Sequence, residues 1–512
     1  MIARLAKVLR RALPRAALGL ALVTLLAPDL AAARPGGGDS YSGGGGHDSG
    51  GGGGGGGDGG DNAFIGELIF QLIRLCFYYP KVGIPLLLLV VGILIYGWYQ
   101  KQKNKDWDSG PPVVLERATS LNDVRQVDPD FSQVLFEDFV FRLYATAHRA
   151  RGQAGGLDAL APYITADARA TLTQRGTAPV EGVVIGAMRA TRVTVPNADV
   201  IAANPLARVR ISLELETNYT TGVPGKQQTS FIVERWVLGR QHDARTKAPS
   251  PSRTFPCPNC GAPWQGADAP GTQKCSYCGE IVDNGRFDWQ VENVELLHER
   301  LQPPTLTEEV PERGTDLTTY LQPSLDTQWM GLLRDDPAMS DASLVARLQH
   351  VYITMNDAWN AGDLLPARAV LSDGLYDYLS YWLVAYRAQG LRNVLEGMTL
   401  THHAFAKVTR DRWFDAVTIR IWGTGKDYVV RSADGSHVRG SRSRDRRYSE
   451  YWTLIRSATR RGPARADANC GNCGSPLIVT MAGGCHHCGA HVTAGEFDWV
   501  LSKIEQDDSY RG

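Results

Sequence analysis

This 512-residue chain lacks the common catalytic signatures. It has no P-loop, hence no backbone cradle for nucleotide phosphates. It has no Gly-x-Ser-x-Gly elbow for a hydrolase nucleophile and no His-Glu-x-x-His helix for a zinc protease. No pair of carboxylates is placed as a convincing acid and base. Net charge is missing too, since 54 Lys and Arg balance 54 Asp and Glu. A neutral chain exerts no global attraction on nucleic acid. Cysteine is scarce, nine residues in all, yet eight of them gather in two places.

The first quartet is Cys257-Pro-Asn-Cys260-Gly followed by Cys275-Ser-Tyr-Cys278-Gly; the second is Cys470-Gly-Asn-Cys473-Gly followed by Cys485-His-His-Cys488-Gly. Two paired CxxC knuckles have the spacing of a four-thiolate tetrahedral zinc site. Gly261, Gly279, Gly474 and Gly489 allow the left-handed turn that each knuckle needs. Four sulfurs leave no open position for water, so the expected ions are two structural zincs. Disulfides are the alternative for an exported domain, and a redox CxxC is a further one. His486, His487 and His491 crowd the second quartet. They are expected to be exposed loop residues, the alternative being that one replaces a cysteine ligand.

The repetition is larger than the quartets. Gly285-Arg-Phe287-Asp288-Trp289 recurs as Gly495-Glu-Phe497-Asp498-Trp499, and Glu234-Arg-Trp236-Val-Leu238 as Glu450-Tyr-Trp452-Thr-Leu454. Asp128-Pro129-Asp-Phe131-Ser132 matches Asp336-Pro337-Ala-Met339-Ser340. A recurrence this far apart implies tandem domains of roughly 170 residues, because solenoid repeats run about 20–50. Each unit opens on Asp-Pro and a capping serine. Helical spacing follows, with Phe136, Phe139, Val140, Leu143 and Tyr144 in one and Leu344, Leu348, Val351, Tyr352, Met355 and Trp359 in the other. Helical sequence continues to about 176 and 390. Period-two alternation then marks strands at Val209, Ile211, Leu213 and Leu215, and at Val417, Ile419 and Ile421. The Glu-x-Trp segment is another strand. Helices followed by antiparallel strands predict an α+β domain with helices on one face of the sheet. Asp288, Asp498, Trp236 and Trp452 are expected to serve packing and capping, not chemistry.

The N-terminal region reads as a membrane anchor. Residues 1–33 have a basic start, an apolar stretch and Ala31-Ala32-Ala33, a secretory signal. Residues 34–63 are glycine-rich, and such a segment cannot bury enough apolar surface to fold. Residues 64–81 are expected to form an interfacial helix, or half of a membrane hairpin. Residues 82–100 are just long enough to span a bilayer. Lys101, Lys103 and Lys105 follow the span, which favours a cytoplasmic C-terminal side. Residues 101–127 and 301–330 read as linkers.

With these features in place, the chain resembles bacterial membrane proteins carrying the domain of translocase-of-the-inner-membrane subunit 44. The clearest stretch is Ala358-Trp359-Asn360-Ala361-Gly362-Asp363, with Leu371-Ser372-Asp373 and Glu450-Tyr451-Trp452-Thr453-Leu454. The first unit departs from it, with Ala147-His148-Arg149-Ala150 where Trp-x-x-Gly-Asp would stand. The resemblance implies a nuclear-transport-factor-2-like cone, helices wrapped by a curved sheet. In mitochondria the relative tethers a chaperone to the import channel and touches acidic lipid.

The expected architecture is thus α+β. Two cone domains (128–254 and 331–465), each followed by a zinc ribbon (255–300 and 466–505), stand behind one transmembrane helix. The expected role is a scaffold on the cytoplasmic face of a bacterial inner membrane, with a protein partner and no nucleic acid. The alternative is a carrier or enzyme using the cone's cavity. Arg439, Arg442, Arg444, Arg446 and Arg447 are expected to form an exposed hairpin that contacts acidic lipid or an acidic partner; a merely solvated hairpin is the alternative.

Overall fold

The computed structural model describes residues 119–512 except 177, 224–225, 250–253, 265–272, 302–305, 307–311, 313, 464–468, 481–482 and 511, together with 78–80, 84–85, 91–92 and 95–96. The signal, the glycine-rich segment and most of the expected interfacial helix and span lie outside the described residues. Of the span, Ile84, Pro85, Val91, Gly92, Ile95 and Tyr96 are described, all helical and all exposed. Among the described residues, no helix is long and apolar enough to cross a membrane.

Ser132 ends an extended stretch and caps helix α1 (Gln133–Arg151), its Oγ accepting from the Leu135 N–H at 3.3 Å. The apolar positions read from the sequence turn inward: Phe136, Val140, Leu143 and Tyr144 are buried. Helix α2 (Ala166–Gln174) follows, and then strands β1 (Val180–Thr194), β2 (Arg208–Thr221), β3 (Gln228–Gln241) and β4 (Gln290–Leu301), with the short helix α3 (Ala198–Ala203) between β1 and β2. The strands form an antiparallel sheet in the order β1-β2-β3-β4. Val209, Ile211, Leu213 and Leu215 of β2 face α1, as do Trp236 and Leu238 of β3. Three register shifts along β1 bend the sheet around the helices.

The C-terminal half follows the same sequence of events. Helix α4 (Leu325–Asp335) precedes α5 (Asp341–Ala361), which opens on a capping box between Ser340 and Ser343. Helix α6 (Asp373–Ala388) leads into β5 (Leu391–Arg410), β6 (Phe414–Arg431), β7 (His437–Gly440), β8 (Arg446–Ser457) and β9 (Val500–Gln506). The second sheet runs β5-β6-β8-β9, with β7 pairing on β6. Trp359, Trp382, Tyr386 and Trp452 fill its interior. The stretch read as a linker, 301–330, does more than connect. Leu306 is buried in this second core, and α4 begins within the stretch. The Arg420 guanidinium holds the carbonyls of Leu317, Gly314 and Thr315 against the sheet.

The two halves touch. Phe414, Ala416, Ile455 and Val500 form an apolar patch with Val134, Leu135 and Trp413. Arg412 pairs with Asp130 at 2.8 Å, and the Trp413 indole donates to the Asp130 carbonyl. Tyr381 of α6 lies over Gly182 of β1, where an added Cβ would stand 3.2 Å from the ring.

One constellation occurs in each half. Arg240 of β3 is buried, pairs with Asp128 at 2.7 Å, and lies 4.5 Å from the Trp289 ring. Arg456 of β8 is buried, pairs with Asp336 at 2.9 Å, and lies 4.6 Å from the Trp499 ring. The Asp-Pro segment, the strand after Glu-x-Trp and the Phe-Asp-Trp box therefore meet at one point. Removing Asp128 takes from buried Arg240 its ion-pair partner, whereas Arg456 also lies 3.5 Å from buried Asp415. Asp128→Ala should thus lower the unfolding free energy by about 3–5 kcal/mol, whereas Asp335→Ala, which removes the more exposed pairs with Arg334 and Arg410, should cost much less; chemical denaturation of both variants measures the contrast.

Candidate metal centres

Each quartet interrupts the chain between the last two strands of a sheet. β3 runs out at Gln241 and β4 begins at Gln290, with Cys257 to Cys278 between them; β8 ends at Ser457 and β9 begins at Val500, with Cys470 to Cys488 between. All four knuckles close in the same way. The N–H of the glycine four residues on donates to the carbonyl of the first cysteine in each: Gly261 to Cys257, Gly279 to Cys275, Gly474 to Cys470 and Gly489 to Cys485. Those glycines sit at φ of +73°, +73°, +71° and +73°, in the left-handed region that a Cβ disfavours.

In each quartet the four ligand sulfurs lie within 4.8 Å of one another. The sulfurs of Cys257 and Cys278, and of Cys260 and Cys275, are 3.9 Å apart. Those of Cys470 and Cys488 are 3.8 Å apart, and those of Cys473 and Cys485 are 4.0 Å apart. A tetrahedron with metal–sulfur bonds of about 2.3 Å has edges of about 3.8 Å. A disulfide needs about 2.05 Å, and all eight cysteines are free. The spacing fits a metal ion and excludes the disulfide alternative for these residues. The donor set fits as well, because the Asn472 amide donates to the Cys488 sulfur at 3.4 Å, and such bonds favour a thiolate.

The histidines stay outside the second quartet. His486 and His487 are exposed and touch edge to face. His491 turns toward the Asp373 carboxylate, 3.5 Å away, which also accepts from Thr493 and Arg368. Burial alone would raise the Asp373 carboxyl, but His491 and Arg368 hold it well below the usual range.

The Phe-Asp-Trp boxes join each quartet to its sheet. Phe287 packs with Cys257, Cys275 and Val282, and Phe497 with Cys470, Cys485 and Val492. Two residues on, Trp289 and Trp499 enter the cores beneath Arg240 and Arg456. The carboxylates between them cap their own turn: Asp288 accepts from the Trp289 N–H and Asp498 from the Trp499 N–H, both at 2.8 Å.

Sequence reasoning missed Arg240 and Arg456, although Arg follows the Glu-x-Trp-x-Leu motif by two residues in both halves. It also missed a buried polar cluster in the N-terminal half. Glu234, fully buried, accepts from the Trp236 indole at 2.8 Å and from Arg175 at 2.7 Å, and His148 Nε2 stands 3.1 Å away. Arg151 Nε donates to His148 Nδ1, which leaves the proton on Nε2 to face Glu234. The corresponding positions of α5, counted from the capping serines, are Asn356 and Trp359.

The arginine hairpin needs correction. It was expected to be exposed throughout. Arg442 and Arg447 are exposed and Arg444 half-exposed, but Arg439 and Arg446 are buried. Arg439 donates to the Tyr386 hydroxyl at 3.1 Å, and Arg446 pairs with buried Glu312. Arg439 lies on β7 where it folds back on β6, and Arg446 opens β8, which pairs with β6 at Gly425; both strands hold their side chains against the protein.

Residues 330–465 match the Tim44-like domain. The match spans α5, α6 and strands β5 to β8. The mixed α/β architecture and antiparallel sheets are consistent with the Tim44-like, nuclear-transport-factor-2-like fold. Trp359, Trp452 and Leu371, read as part of the family's pattern, are all core residues. No curated protein matches the chain.

Two outcomes follow. Burial opposes ionisation of Glu234, but His148 and Arg175 outweigh it and bring its pKa down to about 2. A depressed carboxylate stabilises the fold above its unfolded pKa near 4.3. That contribution should be lost as pH falls from about 4.5 to about 2, and a Glu234→Gln chain should lack this part of the acid transition in a urea titration. The second outcome is metal content. Elemental analysis of the purified chain should find two metal ions, and Cys470→Ser should expose Trp499 and shift its fluorescence to the red.

Proposed function

We infer that the chain is a membrane-anchored scaffold. It carries two cone domains of one duplicated kind, each braced by a zinc ribbon, with the C-terminal part on the cytoplasmic side of a bacterial inner membrane. The observation that carries the duplication is the repeated Asp–Arg–Trp constellation at the same place in both halves. Equal strand order and equal placement of the quartets support it. Zinc is the ion of choice, since four thiolates in a closed tetrahedron suit it and leave no position for catalysis.

The scaffold reading draws on the interiors. In the Tim44-like half, Trp359, Trp382, Tyr386 and Trp452 occupy the space a ligand would need. A carrier or enzyme remains the second reading for the N-terminal half, where Glu234, His148, Arg151 and Arg175 meet. Glu234 spends both oxygens on Arg175, Trp236 and His148, which favours a structural part for it.

The contact surface is the arginine hairpin in its reduced form, Arg442, Arg444 and Arg447. Each basic residue near an anionic surface contributes about 1 kcal/mol. Changing all three to glutamine should weaken binding of a fragment from residue 119 onward to anionic vesicles, most at low salt where screening is least. Lysine replacements should preserve lipid binding and impair a bidentate carboxylate partner. Wild-type protein that ignores anionic vesicles at low salt would remove the lipid contact from this reading; crosslinking on native membranes then identifies the protein partner.

A further inference from the structure

The two quartets differ in what their sulfurs face. In the first, Cys257 and Cys275 are buried, Cys278 is half-buried and Cys260 is exposed. In the second, Cys470 and Cys485 are buried, but Cys473 and Cys488 are both exposed. These two belong to different knuckles, and their sulfurs lie within 4.8 Å of each other. An oxidant that reaches one exposed thiolate finds another beside it.

The strands that leave the quartets differ as well. β4 has 12 residues, whereas β9 has 7. β9 pairs along β8 from Glu450 to Ile455. Its continuation covers the outer face of the second sheet. Asp507 pairs with buried Arg420 at 2.9 Å and accepts from Ser449, and Tyr510 stacks on Tyr451 with ring centroids 3.9 Å apart. Upstream, β9 is held by Trp499 under Arg456 and by Phe497 against the cysteines. A short strand, its Val500 and Leu501 buried, thus joins the more exposed quartet to a tail that covers part of a sheet.

We propose that the second quartet is a redox-sensitive clasp on the last strand, opened by hydroperoxides while the first quartet stays closed. The inference rests on the metal reading given above. An exposed thiolate attacks the peroxide oxygen, the O–O bond breaks, and a sulfenic acid forms with loss of water. A neighbouring thiolate then displaces the second water and closes a disulfide. For the whole quartet, four thiolates, two hydrogen peroxides and four protons give two disulfides, four waters and one released divalent ion. The sulfurs must close from about 3.8 Å to about 2.05 Å, which collapses the knuckles and withdraws the packing surface from Phe497. Trp499, β9 and the tail then detach, uncovering Arg420 and Tyr451.

The test uses the full-length, metal-loaded chain titrated with hydrogen peroxide. Released metal is read with a colorimetric chelator, disulfides by peptide mapping, and strand release by amide exchange. The first equivalent of metal should leave with disulfides confined to Cys470, Cys473, Cys485 and Cys488. Exchange should rise across 497–510 and stay unchanged across 287–301, and thiol reductant with added zinc should restore protection. Loss of metal from the first quartet at the same dose or earlier overturns the clasp. So does oxidation of the second quartet with 497–510 still protected. A chain that purifies without metal overturns the metal reading itself, and the clasp with it.

Discussion

A buried aspartate–arginine pair under a tryptophan ring is the constraint on which each half of this molecule depends. Arg240 and Arg456 are buried near the ends of β3 and β8, where a guanidinium without a counter-charge would be prohibitive. The carboxylate comes from the Asp-Pro segment that starts the long helix, and the ring comes from the residue just before the strand that follows the cysteines. Helix entry, central strand and last strand are thereby locked to one another. The cation over the indole face gains further attraction in this desolvated setting. Specific geometry, more than net stability, is what such a pair supplies.

The quartets make sense as extensions of that lock. Each closes a long excursion between neighbouring antiparallel strands, a segment with few apolar residues of its own. A metal ion held by the four sulfurs would replace the missing core. Phenylalanine on the sulfurs and tryptophan in the sheet, two residues apart, transmit the position of the knuckles to the start of the last strand. The aspartate between them caps the turn, so its presence beside two aromatics reflects backbone needs and not chemistry.

The interiors diverge where the frames agree. The C-terminal half, whose residues 330–465 match the Tim44-like domain, fills its interior with indoles and packs the 16-residue α6 against them. The N-terminal half has a 9-residue α2 and places His148, Arg151 and Arg175 around Glu234. A buried charge cluster of this kind is stable only when every member is satisfied. Its geometry meets that condition for Glu234, whose two oxygens face three partners.

The sequence by itself determined the helices from serine caps and 3.6-residue spacing, and the central strands from alternation. It also determined the metal quartets, because knuckle geometry is local and needs two residues and a glycine. Trp236 and Trp452 were readable as core for the same reason. Tertiary structure alone decided the long-range pairings. Asp128 finds Arg240 and Asp336 finds Arg456 across more than a hundred residues, and no local pattern marks such partners. It decided that Leu306, in a stretch read as linker, enters a core, since burial depends on what lies opposite. It also split the arginine run, turning Arg439 and Arg446 inward to Tyr386 and Glu312 and leaving Arg442 and Arg447 in solvent. Composition could not foresee that division, because a charge is placed inside or outside by the partner that the fold brings to it.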